Sequence, residues 1–254
     1  IKTPNIDQLS AEGMRFTDYY SGAAVCAPAR SVLMTGLHTG HTRIRGNFGK
    51  GGVVGLAGKQ GRVPIKEEDL TLAEVLQENG YRTGMIGKWG LGEPNTSGEP
   101  NKKGFDYFYG FYNQRRAHSY YPNYIWENTN KVKLHGNENE QNHQYTHNLF
   151  ADESVNFIDR NHQKPFFLYL PVCIPHSRYE LPDNGIYTHK KGWTDLQKKY
   201  AAMVTRLDET VGRIVKRLDA LGISDKTYIF FTSDNGPAEI VNDWEIFNSN
   251  GIYK

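Results

Sequence analysis

Apolar and polar positions alternate along this chain in two different periods, and the change of period marks out its elements. Between residues 194 and 221, Tyr200, Met203, Leu207, Val211, Ile214, Leu218 and Leu221 recur at steps of three and four. That spacing predicts one long amphipathic helix, ended by Gly222. Residues 142–161 carry a similar pattern, with Leu149, Val155 and Ile158 on the apolar side. Shorter helices are predicted at residues 5–13, with Ile6 and Leu9 inward and Gly13 as the stop, and at residues 71–78, ahead of Gly80. Apolar blocks of strand length separate them. They are residues 81–86, the run Phe166-Phe167-Leu168-Tyr169-Leu170-Pro171-Val172, and Tyr228-Ile229-Phe230-Phe231. The second, being continuous, has the composition of a strand buried on both faces. Helix and strand patterns in alternation predict an α/β fold.

The glycine-rich stretch at residues 46–61 predicts a flexible loop near the site. Its Gly58-Lys59 pair does not make a phosphate-binding loop. Val53 and Gln60 stand where that motif needs a glycine and a hydroxyl side chain.

Composition narrows the function classes. Thirty basic and 28 acidic side chains leave a net charge of +2, so no global field favours nucleic acid or a membrane surface. The nine histidines add positive charge only below neutral pH. No apolar run approaches the roughly 20 residues of a membrane span. Cys26 and Cys173 are the two cysteines. Cys173 ends an apolar run and is expected to be buried and inert.

Several segments carry chemistry. In Val25-Cys26-Ala27-Pro28-Ala29-Arg30, Pro28 suits the first turn of a helix, where its missing N–H costs nothing. Residue 26 then sits at a helix N-terminus, whose free N–H groups and dipole favour an anionic group. Thr232-Ser233-Asp234-Asn235-Gly236 follows a predicted strand. It reads either as a turn or as oxygen ligands at the carboxyl end of a sheet. Carboxylate and amide oxygens suit a hard cation, and the lack of a thiol or imidazole cluster argues against zinc. Gly87-Lys88-Trp89-Gly90-Leu91-Gly92 and Pro175-His176 also follow predicted strands. His38 and His41 have no carboxylate or thiol nearby and carry only a weak metal signal. Tyr120, Tyr121, Tyr124 and Trp126 could stack on sugar rings or pack beneath a loop.

Taken in chain order, these motifs resemble the type I, formylglycine-dependent sulfatases of bacterial arylsulfatase or N-acetylgalactosamine-sulfatase type, within the alkaline phosphatase-like superfamily. The likeness runs from Thr3-Pro4-Asn5-Ile6-Asp7 through C-x-P-x-R to Phe247-Asn248-Ser249-Asn250-Gly251. It implies a large mixed, mainly parallel sheet flanked by helices. It also implies oxidation of Cys26 to formylglycine by a maturation enzyme, and a sulfated small-molecule or carbohydrate substrate. Arg30 would hold the formylglycine, Lys88 the sulfate, and His176 would serve the leaving alcohol. Asp234, Asn235 and the formylglycine at 26 would bind Ca2+, with Mg2+ as the alternative. A histidine usual in the family is replaced by Gly90, and His118 is the candidate to take its place.

The resemblance further implies a periplasmic or secreted parent protein. It places an Asp-Asp metal segment upstream of Ile1, and a lysine and a small C-terminal domain downstream of Lys254. Residues 1–254 would then be a truncated catalytic domain. With three metal contacts where calcium takes about six to eight, this chain alone is expected to be inactive. A phosphate or phosphonate ester hydrolase of the same superfamily and a non-catalytic sulfoglycan-binding relative remain as alternatives.

Overall fold

A computed structural model describes residues 1–48, 53–55, 58–138, 141–237, 244–249 and 251. The chain divides into two compact units. One comprises Ile1–Tyr20, Ile174–Ile229 and Gly236–Lys254, and the other Ser21–Cys173 with Phe230–Asn235.

The second unit is built on a five-stranded sheet. Its strands are β3 (Arg82–Lys88), β4 (Tyr107–Phe111), β5 (Tyr124–Glu127), β6 (Asn130–Lys133) and β7 (Phe166–Tyr169), in the order β6-β5-β4-β3-β7. β4, β3 and β7 run parallel, and β5 and β6 continue the sheet antiparallel. Side chains alternate between the two faces, and each face has its own cover. On one face, Met85 and Phe108 join Ala27 and Met34 of helix α2 (Cys26–Thr35) and Ala73 of helix α3 (Leu72–Glu78) in a single core cluster. On the other, helix α4 (Thr146–Asn161) sets Phe150 edge-on to Phe111, with ring centroids 5.8 Å apart, and Phe157 beside Phe166. α3 begins at the capping box of Thr71 and Glu74, which satisfies two N–H groups at the helix start.

β3 and β4 meet at glycines: a Cβ on Gly110, at φ +152, would lie 2.0 Å from the Gly87 carbonyl oxygen. A Cβ on Gly87, at φ +129, would lie 2.3 Å from the Pro171 carbonyl oxygen. Only a residue without one lets the chain pass there. Lys88, directly after it, ends β3.

Four expectations require correction. The predicted strand at Phe166–Val172 shortens to β7, and its residues are half-buried, because β7 pairs on one side only among the described residues. Tyr228-Ile229-Phe230-Phe231 forms no strand, and Tyr228 and Phe230 are 91% and 88% exposed. Strand conformation depends on a neighbour for its main-chain groups, and no described strand pairs with this run. The glycine-rich stretch contains an antiparallel hairpin, β1 (Val53–Gly55) with β2 (Gly58–Arg62), since ladder hydrogen bonds need no apolar side chains. Residues 49–52 and 56–57 of that stretch lie outside the described residues. Finally, the helix predicted over residues 142–161 starts at Thr146, and Phe150, Ala151 and Phe157 carry its buried face along with Ile158.

In the first unit, helix α1 (Pro4–Glu12) packs along helix α5 (Asp195–Ala220), the 26-residue helix predicted from its periodicity. Thr194 and Gln197 form its capping box. α1 has no side-chain cap of its own. The buried carboxylate of Asp208 on α5 supplies one, accepting from Ile6 N at 2.8 Å and from Asn5 Nδ2 at 2.6 Å. Among the described residues, no helix is long and apolar enough to cross a membrane.

Candidate active site

α2 presents Cys26 from its first turn. The residue before it, Val25, is extended and offers no side-chain cap. The Ala27 N–H is instead satisfied by Asn47 Oδ1 at 3.0 Å. At the other end Gly36, in the left-handed conformation, closes the helix onto the Val32 carbonyl. One turn after Cys26, Arg30 is 1% exposed and points its guanidinium into the protein.

Each nitrogen of Arg30 has a separate partner. Nε donates to the Trp89 carbonyl at 2.7 Å, Nη1 to Asp234 Oδ2 at 2.8 Å, and Nη2 to Gln114 Oε1 at 2.6 Å. These partners lie in the segment after β3, in the Ser-Asp-Asn-Gly turn and in the segment after β4. The planar fork therefore ties three loops to α2 in fixed directions. Such a charge could not stay buried without them.

Gly90 belongs to the same construction. It adopts φ +79, and a Cβ there would lie 2.8 Å from Arg30 Nη2 and 3.0 Å from Gln114 Oε1. The missing histidine at 90 thus has a steric counterpart: the Gln114 amide fills the space a side chain would need. No motif in the sequence singles out Gln114. Its bond to a residue 84 positions away leaves no signal in a single sequence.

Lys88, at the carboxyl end of β3, is 5% exposed, and among the described residues no carboxylate pairs with it. Burial pushes the Cys173 thiol up to about 11. Lys88 and Trp89, whose carbonyl accepts from Arg30, lie at the carboxyl end of β3, where α/β sheets place ligands. Cys26 and Cys173 are both free thiols, and Cys173 is buried, as expected.

The other expected residues are distributed as follows. Asn235 follows Asp234 directly and is half-buried. His118 ends the 3-10 turn Arg116–His118, four residues after Gln114, and is half-buried. His176 belongs to the first unit, where its Nδ1 lies 3.0 Å from Ser177 Oγ. His38 Nδ1 accepts from Gly40 N at 3.0 Å within a turn. Of the aromatic run, Tyr120 is fully buried and packs on Tyr145, while Trp126 packs edge-on to Tyr112. Packing accounts for both.

The donor chemistry of Asp234 and Asn235 suits a hard cation in kind. In number it falls short: the described residues hold no group of three or more His, Cys, Asp or Glu side chains arranged for a metal.

Comparison with known proteins shows the family. The sulfatase family profile matches residues 1–242, and the chain belongs to that family. It is 36% identical over 245 residues to an arylsulfatase of Hemicentrotus pulcherrimus, covering 91% of this chain and 42% of the relative. It is 31% identical over 260 residues to the N-acetylgalactosamine-6-sulfatase of Mus musculus, covering 94% and 46%. The crystal structure of Ps i-CgsB in complex with k-i-k-neocarrahexaose superimposes with a TM-score of 0.77 at 30% identity, over 92% of this chain and 53% of that one. The chain thus spans about half the length of the relatives it matches.

Proposed function

We propose that the complete protein carrying this chain hydrolyses sulfate monoesters of sugars or glycans, through a formylglycine made from Cys26 by a maturation enzyme. The observation that carries this is the geometry around Arg30, which lies one turn after Cys26 on α2, holds Asp234 at 2.8 Å and donates to the carbonyl of Trp89, the residue after the buried Lys88. A sulfate monoester concentrates negative charge on its nonbridging oxygens, so its hydrolysis calls for fixed cations beside a nucleophile. Lys88 supplies an ammonium without a carboxylate partner among the described residues. Arg30 is already neutralised by Asp234 and serves to fix the geometry.

In the proposed reaction, one hydroxyl of the hydrated aldehyde at 26 gives up its proton to solvent water as its oxygen attacks sulfur, and the bond from sulfur to the alcohol oxygen breaks. His176 gives that oxygen its proton. The second hydroxyl then loses a proton, the carbonyl re-forms, and the bond from carbon to the sulfated oxygen breaks. Sulfate leaves without water attacking sulfur. His118 is the proposed acceptor of that last proton. Asp234 and Asn235 are proposed ligands in a calcium or magnesium site completed elsewhere in the protein. Such an ion would supply further positive charge for the sulfate. Residues 1–254 are proposed as part of the catalytic domain, and a secreted or periplasmic location is proposed on family resemblance.

The test is a pair of matched aryl esters given to the matured protein. Release of sulfate at least about ten times faster than phosphate is expected, a margin of about 1.4 kcal/mol in barrier. Faster release of phosphate would assign the protein to a different esterase class.

A further inference from the structure

The turn that carries Gln114 also holds a cation directed elsewhere. Asn113 Oδ1 fixes that turn by accepting from Arg115 N at 2.9 Å and from Arg116 N at 3.2 Å. Gln114 reaches back to Arg30. Two residues on, the half-buried Arg116 lays its guanidinium over the Tyr124 ring, 3.5 Å from the centroid, and its Nη2 donates to Asn123 Oδ1 at 2.6 Å.

Strand register adds two more cations. β5 starts at Tyr124 and runs antiparallel to β4, so Tyr124 stands at the end of the sheet where β4 finishes. Lys88 pairs with Phe111 at that same end. β6 sets Lys133 opposite Tyr124 and Lys131 opposite Trp126, and directly opposed residues share a face. Lys131 Nζ accordingly lies 4.9 Å from the centre of the Tyr124 ring and 5.4 Å from that of Trp126. Trp126 packs on the core cluster that includes Ala27 and Met34 of α2. Arg116, Lys131 and Lys133 therefore line the face of the sheet that α2 covers.

Among the described residues no carboxylate pairs with any of the three. The acids nearest along the hairpin are engaged elsewhere. Glu127 accepts from the Tyr107 hydroxyl at 3.2 Å, and Glu138 pairs with His135 at 3.7 Å. An aromatic ring holds a cation in place without cancelling its charge. Lysines on an edge strand commonly guard it against pairing with another chain. Arg116 lies off that edge, and its charge is held over the same Tyr124 ring as that of Lys131.

Building on the sulfatase reading, we propose that Arg116, Lys131 and Lys133 form a docking strip for a sulfated glycan chain. The strip binds sulfate groups on the sugar units that flank the one being cleaved. Cations two positions apart on a strand stand about 7 Å from each other, a spacing suited to charges repeated along a chain. The Tyr124 and Trp126 rings orient these cations instead of stacking on a sugar. The substrate class narrows accordingly to sulfated oligo- and polysaccharides.

The test is calorimetric binding of sulfated isomaltohexaose to the complete protein carrying Cys26→Ala, with unsulfated isomaltohexaose as control. The sulfated chain is expected to bind and the neutral one is not; equal behaviour of the two would overturn the strip. Lys131→Gln combined with Lys133→Gln, both at exposed positions, should weaken binding about three- to twentyfold, the size of two exposed ion pairs. The loss should shrink at high salt. Lys190→Gln combined with Lys191→Gln removes the same charge from exposed positions of the first unit and should cost less than about twofold. Equal losses from the two pairs, or no loss from the first, would overturn the strip. On the matured protein the sulfated chain should also compete with an aryl sulfate, and binding without competition would detach the strip from the active site. If the wild type turns over no aryl sulfate, the sulfatase reading itself fails, and calorimetry decides the strip by itself.

Discussion

α2 and α5 are both helices with a buried face, but different residues fill those faces. α5 is long, amphipathic and capped by its own Thr194 and Gln197, and it buries Tyr200, Ala201 and Met203 toward the first unit. α2 is short and lacks a side-chain cap, and it buries Arg30 and Ser31 as fully as Ala27 and Met34. Hydrophobic burial and capping suffice to explain α5. α2 instead relies on partners brought by other loops: Trp89, Gln114 and Asp234 for Arg30, and Asn47 for the first turn. A helix that stabilises the fold carries its information locally. A helix proposed to present a nucleophile carries it in the surroundings.

Mutation should separate the two kinds of helix. The largest effect is expected from Cys26→Ala, which should lower sulfate ester turnover by more than about 10⁴-fold while leaving thermal unfolding nearly unchanged. Turnover within tenfold of wild type would remove Cys26 from the chemistry. Gly90→Ala comes next. A methyl group at φ +79 against Arg30 and Gln114 should cost about 1–3 kcal/mol of stability and, by shifting the guanidinium, on the order of 10²-fold in kcat. Adding Gln114→Ala should recover part of the loss by clearing the space, whereas additive losses would separate the two positions.

For helix α5, the expected effects fall on stability alone. Asp208→Ala strips the carboxylate that caps α1 from α5, and a loss of about 1.5–3 kcal/mol is expected from denaturant melts. KM should not change below the transition. The smallest effect belongs to Thr194→Ala, where losing one cap should cost about 1 kcal/mol. A change in kcat/KM from either variant in fully folded protein would break the distinction drawn between the helices.

The same contrast explains what could be read from the sequence. The period of α5 and the Thr71 and Thr194 boundaries were legible, because each rests on residues within a turn or two of one another. The order of motifs pointed to Cys26, Arg30, Lys88 and Asp234, and the structure brings all four into one unit. What escaped notice depends on distant partners. Gln114 is defined by its bond to Arg30 and by the side chain that Gly90 lacks. Phe166–Val172 and residues 228–231 have strand composition, but pairing decides how much strand forms. β7 pairs with β3, and residues 228–231 have no described partner.

The most direct test concerns residue 26 itself. A peptide spanning it, taken from the complete protein expressed with a formylglycine-generating enzyme, should be weighed by mass spectrometry. The expected mass is that of an aldehyde, with oxygen in place of the thiol sulfur and two hydrogens fewer. Sulfate release should rise in proportion to the converted fraction. An intact thiol at 26 in a preparation that hydrolyses sulfate esters at full rate would contradict it.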